Sequence, residues 1–164
     1  MVHSVELVFD TDTEAAVRRI WDVLRDAGIP SQAPAARPHT TLAVAAHIAP
    51  EAEDVLRPMS SRLPLPCRIG ATLIFGRSAG VLARLLVPSP ALLAVQSEVH
   101  RLCLPLMTPM PMANTGPGQW TPHVTLARRV AAGPQAAAGR VARRTAEKGG
   151  RITRMSPRGG GKQV

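Results

Sequence analysis

The sequence predicts an α+β fold of two similar lobes, each a small antiparallel sheet with helices on its outside. Three observations predict it. Alternating, strand-like runs and 3.6-period, helix-like runs follow one another as strand–helix–strand–helix, then hairpin–helix–strand. The pentapeptide Pro-His-x-Thr-Leu occurs twice, at Pro38–Leu42 and at Pro122–Leu126, once in each half. Hydrophobic residues make up 45% of the 164, but aromatics only 2%, so one ordinary domain is expected, its core built from Leu, Val, Ile and Ala.

Val5-Glu6-Leu7-Val8-Phe9 alternates and is read as the first strand. Thr11-Asp12-Thr13-Glu14 has capping-box spacing, with Thr11 as the cap and Glu14 reaching back. The helix that follows places Val17, Ile20, Trp21 and Leu24 on one face, with Arg18, Arg19, Asp22 and Arg25 largely elsewhere. Gly28 and Pro30 end it. A Pro/Ala loop leads to the first motif strand, about residues 39–46. Pro50 to Leu56 reads as a short helix with proline and acids in its first turn. Leu65–Phe75 and Val81–Val87 read as strands of a hairpin turning at Gly76–Gly80. Ser89-Pro90 is a cap and first helical residue, opening a helix that carries Leu92, Val95, Val99 and Leu102 and ends before Pro105. Residues 105–119, rich in Pro, Met and Gly, read as a loop into the second motif strand.

Side chains alternate along a strand, so His39 and Thr41 share a face, as do His123 and Thr125, while Leu42 and Leu126 point to the other face and a core. Two strands that each offer an imidazole and a hydroxyl suit phosphoester chemistry. Cleaving a phosphoester needs a base beside the attacking nucleophile and an acid beside the departing oxygen. Imidazole serves both roles near neutral pH. Thr41 and Thr125 can donate to non-bridging oxygens, and Arg128 can meet developing negative charge. Each residue also has an ordinary reading. A single histidine at a strand start is usually structural, and threonine is common in strands. The repeat moves the balance to catalysis for the two histidines. Arg129, His3, His47 and His100 are assigned to surface or core, and Trp120 either packs beside the motif or stacks on a base. No spacing suggests a metal cluster, and no cofactor is expected.

The two motifs, His39-Thr40-Thr41-Leu42 and His123-Val124-Thr125-Leu126, give the chain a resemblance to the two-histidine (2H) phosphoesterase superfamily. In particular it resembles the bacterial 2′-5′ RNA ligases, or RNA 2′,3′-cyclic phosphodiesterases. The string Trp120-Thr121-Pro122-His123-Val124-Thr125-Leu126-Ala127-Arg128 also resembles the family's second motif. The resemblance covers about residues 3–130. It implies pseudo-twofold lobes with both motifs in a central cleft, and His123 activating water while His39 protonates the 3′ oxygen. It implies hydrolysis to a 2′-phosphate, with 2′-5′ ligation as the reverse type of step.

Net charge is +9, unevenly spread. Residues 1–133 hold 12 Arg and no Lys against 10 acids, whereas 134–164 hold six Arg and two Lys against one acid. Residues 1–133 are therefore expected to form the two-lobed domain, near neutral and suited to a short substrate, with 134–164 a disordered Gly/Arg-rich tail. The family continues with a helix and strand after the second motif. Their expected absence here raises truncation or a frameshift near residue 134. Expected partners are RNA ends or a small cyclic nucleotide. Cys67 and Cys103 read as reduced thiols. No signal peptide or membrane span is read, and a cytoplasmic monomer is expected. The alternative function is a non-catalytic RNA- or nucleotide-binding relative whose basic tail supplies affinity.

Overall fold

A computed structural model describes residues 2–76, 79–131, 139 and 147–159. Its strands are β1 (His3–Phe9), β2 (His39–Ile48), β3 (Leu65–Phe75), β4 (Ala79–Leu86), β5 (Met107–Pro111), β6 (His123–Ala131) and β7 (Lys148–Arg158). Its helices are α1 (Thr11–Asp26), α2 (Ala52–Leu56) and α3 (Pro90–Cys103). The strands form one antiparallel sheet in the order β5-β2-β1-β7-β3-β4-β6. This α+β arrangement carries the two expected lobes, one around β2-β1 and one around β3-β4-β6. None of the described helices is long and apolar enough to cross a membrane.

The strand that joins the lobes is β7. Its first half, Lys148–Ile152, pairs with β3, and its second half, Ile152–Arg158, pairs with β1. Ile152 is fully buried opposite both Phe9 and Leu65. The expectation of a disordered tail from residue 134 is thus corrected for Lys148–Arg158. The sequence hides this strand because pairing partners on both sides supply its backbone hydrogen bonds, while its side chains are mostly Gly, Arg and other polar residues. Residues 134–138, 140–146 and 160–164 of that tail, including Arg143-Arg144 and Gly160-Gly161, lie outside the described residues.

Two smaller expectations are also corrected. Asp10, not Thr11, caps α1, accepting from the Thr13 amide at 2.9 Å, and its carboxylate also accepts from the Arg151 amide of β7. Residues 107–111, expected in a loop, form edge strand β5 against β2, where proline is tolerated because one side makes no ladder bonds. The core gathers Val17, Ile20, Trp21 and Leu24 of α1, Leu92, Val95 and Val99 of α3, and Val5, Leu7, Phe9, Leu42 and Leu126 of the strands. Gly28, at φ 71, adopts the left-handed turn that ends α1.

Candidate active site

The two motif strands alternate as the pattern predicts. Thr40, Leu42, Val124 and Leu126 are buried, while His39, Thr41, His123 and Thr125 are only partly so. These four residues and Arg128 line one cleft of about 480 Å³, walled also by Phe75, Trp120 and residues 112–115. All five residues singled out from the sequence are therefore brought together.

β2 and β6 are not ladder partners, so side chains tie them across the cleft. Thr40 Oγ1 donates to the His123 carbonyl at 2.8 Å, and Trp120 Nε1 donates to the Thr41 carbonyl at 2.8 Å. Trp120 is therefore a strut at the cleft wall as well as a lining residue. From α1, Trp21 Nε1 donates to the Thr125 carbonyl at 3.1 Å.

Each histidine is anchored in the same way. Nδ1 of His39 lies 2.8 Å from the Arg37 carbonyl, and Nδ1 of His123 lies 2.7 Å from the Thr121 carbonyl. A carbonyl only accepts, so both Nδ1 atoms carry hydrogen and Nε2 is the atom left to exchange a proton. The surroundings of the two rings differ. Burial pushes His123 below the ordinary imidazole range. Its bond to Thr121 opposes this, but the positive charges of Arg128 and His39 add to the lowering. Beside His39 Nε2 stands a carboxylate instead, Glu6 Oε1 at 3.6 Å.

Arg128 reaches the cleft through an irregularity that alternation does not foresee. It is five residues from His123, so strict alternation would turn it to the opposite face. The β4–β6 register slips between Leu82 and Ala83 and again between Gly80 and Leu82, and Arg129 takes φ 56. These bulges re-aim the strand.

Sequence reasoning missed several supporting residues. Glu14, expected to close a capping box, binds Arg18 and Arg37, with Arg37 Nε at 2.9 Å. Burial pushes its pKa up, but the two guanidinium bonds outweigh this and hold the carboxyl below its usual range. Glu14 thereby fixes the residue whose carbonyl holds His39. Phe75 stacks at a tilt on His123, ring centres 4.8 Å apart. Gln96, buried on α3, donates to the Thr115 carbonyl at 2.8 Å and anchors the 112–115 wall. The one signal for Gln96 was a polar residue beside Val95 on an otherwise apolar helix face. Among the described residues, no three His, Cys, Asp or Glu side chains converge as metal ligands would.

The family model described as "2'-5' RNA ligase superfamily" matches residues 10–156. Among solved structures, Usb1 of Kluyveromyces marxianus is similar with a TM-score of 0.50 at 11% identity, covering 95% of this chain and 96% of that one. A structure of the same protein with uridine monophosphate has a TM-score of 0.47 at the same identity and coverage. At 11% identity the likeness concerns the fold alone. No curated protein matches the chain.

Proposed function

Because the chain belongs to the 2′-5′ RNA ligase superfamily, we propose that it is a metal-independent phosphodiesterase that opens 2′,3′-cyclic phosphates. The substrates are RNA ends or small cyclic nucleotides, and the product is a 2′-phosphate. The observation that carries this reading is the pair of histidines lining one cleft with Nδ1 held by a backbone carbonyl in each.

In this reading His123 is the base, since its surroundings favour the neutral ring. Its Nε2 takes a proton from water as the water oxygen bonds to phosphorus. The bond from phosphorus to O3′ breaks, and O3′ takes the proton of His39 Nε2. Thr41 and Thr125 donate to the non-bridging oxygens, and Arg128 offsets the charge that builds there. An RNA 5′-hydroxyl in place of water turns the same step into 2′-5′ ligation.

The near-neutral charge of residues 1–133 favours a short substrate, but β7 adds positive charge to the folded part. Residues 147–159 bring Lys148, Arg151, Arg154 and Arg158 into the folded part against Glu147 alone. Through Val8, Arg154 stands in register with His39, and through Ser4, Arg158 stands in register with Val44, on the face that holds the cleft. Exposed arginines there suit the phosphates of an RNA strand that extends from the reacting end.

The test is turnover of 2′,3′-cyclic AMP and of an oligonucleotide ending in a 2′,3′-cyclic phosphate, in EDTA, with His39→Ala and His123→Ala alongside. Turnover by the natural protein, a 2′-phosphate product and loss in both variants, each still folded, are expected. RNA binding without turnover would replace this reading by the non-catalytic one.

A further inference from the structure

Glu6 is the most deeply buried acid among the described residues, at 3% exposure in the middle of β1. A carboxylate so placed is costly unless charge and hydrogen bonds surround it. It has three polar neighbours. Ser4 Oγ donates to Oε1 at 2.9 Å. Arg158 Nε lies 2.9 Å from Oε2, at ion-pair distance but without hydrogen-bond alignment. His39 Nε2 lies 3.6 Å from Oε1. The register explains the grouping. Glu6 stands opposite Thr41 on β2 and opposite Ser156 on β7, so it shares a face with the first motif, and Arg158 and Ser4 are paired beside it. Ser4 also lines the cleft, so its hydroxyl links the cleft wall to the carboxylate.

Resting on the phosphodiesterase reading, we infer that Glu6, held by Ser4 and Arg158, is a positioning residue that fixes the His39 ring and favours the proton on its Nε2, making His39 the acid of the pair. The asymmetry of the two motifs carries this. His39 has a buried carboxylate at the nitrogen that would give up the proton. His123 has Arg128 and Phe75 instead. The sequence repeat is symmetric, so the difference between its copies comes from β1 and β7. Stability alone is a weak account of the Glu6–Arg158 pair, because Arg158 is half exposed and solvent weakens its attraction for a carboxylate that is costly to bury.

Among the described residues, the charged groups on the cleft face or adjoining His39 are Glu6 on β1, Arg154 and Arg158 on β7, His123 and Arg128 on β6, and Arg37 with its partner Glu14. Glu6→Gln keeps the shape and removes the negative charge that lies against the ring. Turnover against pH is expected to keep its acid limb while the alkaline limb moves to lower pH by about one unit. At pH 8 kcat then falls roughly tenfold with KM little changed. Arg158→Gln leaves Glu6 in place and moves the alkaline limb the other way.

The same comparison is made without turnover by following both imidazoles by NMR across the pH range. Expected are a His39 titration that moves down in Glu6→Gln and up in Arg158→Gln, and a His123 titration that moves far less. A His39 titration unmoved in both variants, or both rings moving together, overturns the inference whatever the protein hydrolyses. If Glu6→Gln does not fold, the Arg158→Gln result alone decides. If no substrate is turned over, the NMR result still decides this point, while the phosphodiesterase reading fails separately.

Discussion

Gly150→Ala tests the placement of β7, on which the joining of the two lobes depends. A Cβ at residue 150 would overlap Thr13 Oγ1 and would lie 3.0 Å from Thr13 Cβ and 3.2 Å from its Cγ2. Neither partner can move freely. Thr13 is fully buried in the first turn of α1, its amide and hydroxyl both on the Asp10 carboxylate. Residue 150 is paired with Cys67 of β3. One added methyl in such a place is overpacking, which costs about 1–3 kcal/mol. For a chain of this length that is a fall in Tm of roughly 2–12 °C. Thermal and urea unfolding followed by circular dichroism would measure it. Thr13→Ala removes two of the three clashing atoms and keeps the backbone cap. It costs its own hydroxyl bond, about 0.5–1.5 kcal/mol. In the double variant the two costs should sum to more than is observed, with a coupling of about 0.5–2 kcal/mol. Relief is partial, because Thr13 Cβ remains. Unchanged stability in Gly150→Ala, or additive costs in the double variant, would refute the packing of α1 on β7.

Turnover should fall on the acid side with a midpoint below 6.5, because burial first, then Arg128 and His39, favour the neutral form of His123; a pH–rate profile with that midpoint at or above 6.5 would contradict its role as base. Arg128→Ala should lower kcat by about 10²–10³ with the fold intact, the usual loss for a group that meets charge in the transition state; steady-state kinetics would show it, and a change confined to KM would count against that role. Asp10→Ala removes both the α1 cap and the acceptor for Arg151, and should cost roughly 1–2 kcal/mol in urea unfolding at pH 7. Burial raises the Asp10 pKa, but its hydrogen bonds outweigh that and leave it lowered from 3.8, so this stabilisation is present above that value and disappears as pH falls through the folded one. The variant should therefore lose less stability than the natural protein between about pH 5 and 2. Gln96→Leu strands the Thr115 carbonyl at the cleft wall, so a cost of about 1–2 kcal/mol and a raised KM are expected.

The amino-acid sequence by itself determined the local elements and the two motifs. Period-2 and period-3.6 patterns located β1, α1, β2, the β3–β4 hairpin, α3 and β6 within a few residues, because each buries one face and so writes that face into its spacing. The repeat of Pro-His-x-Thr-Leu identified His39, Thr41, His123 and Thr125 as residues of one face, and all four line the cleft, because a motif strand orients its own side chains. Only the tertiary structure decided what depends on neighbours far along the chain. β7 was invisible because a central strand is stabilised by pairing on both sides, and Gly150 is there to admit Thr13, a requirement set 137 residues away. Arg128 enters the cleft through bulges that the register with β4 imposes. Glu6 looked like an acid in an amphipathic strand, and pairing placed it under His39 with Arg158 from the other end of the chain. Two copies of one motif, equal in sequence, become chemically unequal because the sheet sets a carboxylate beside one and an arginine beside the other.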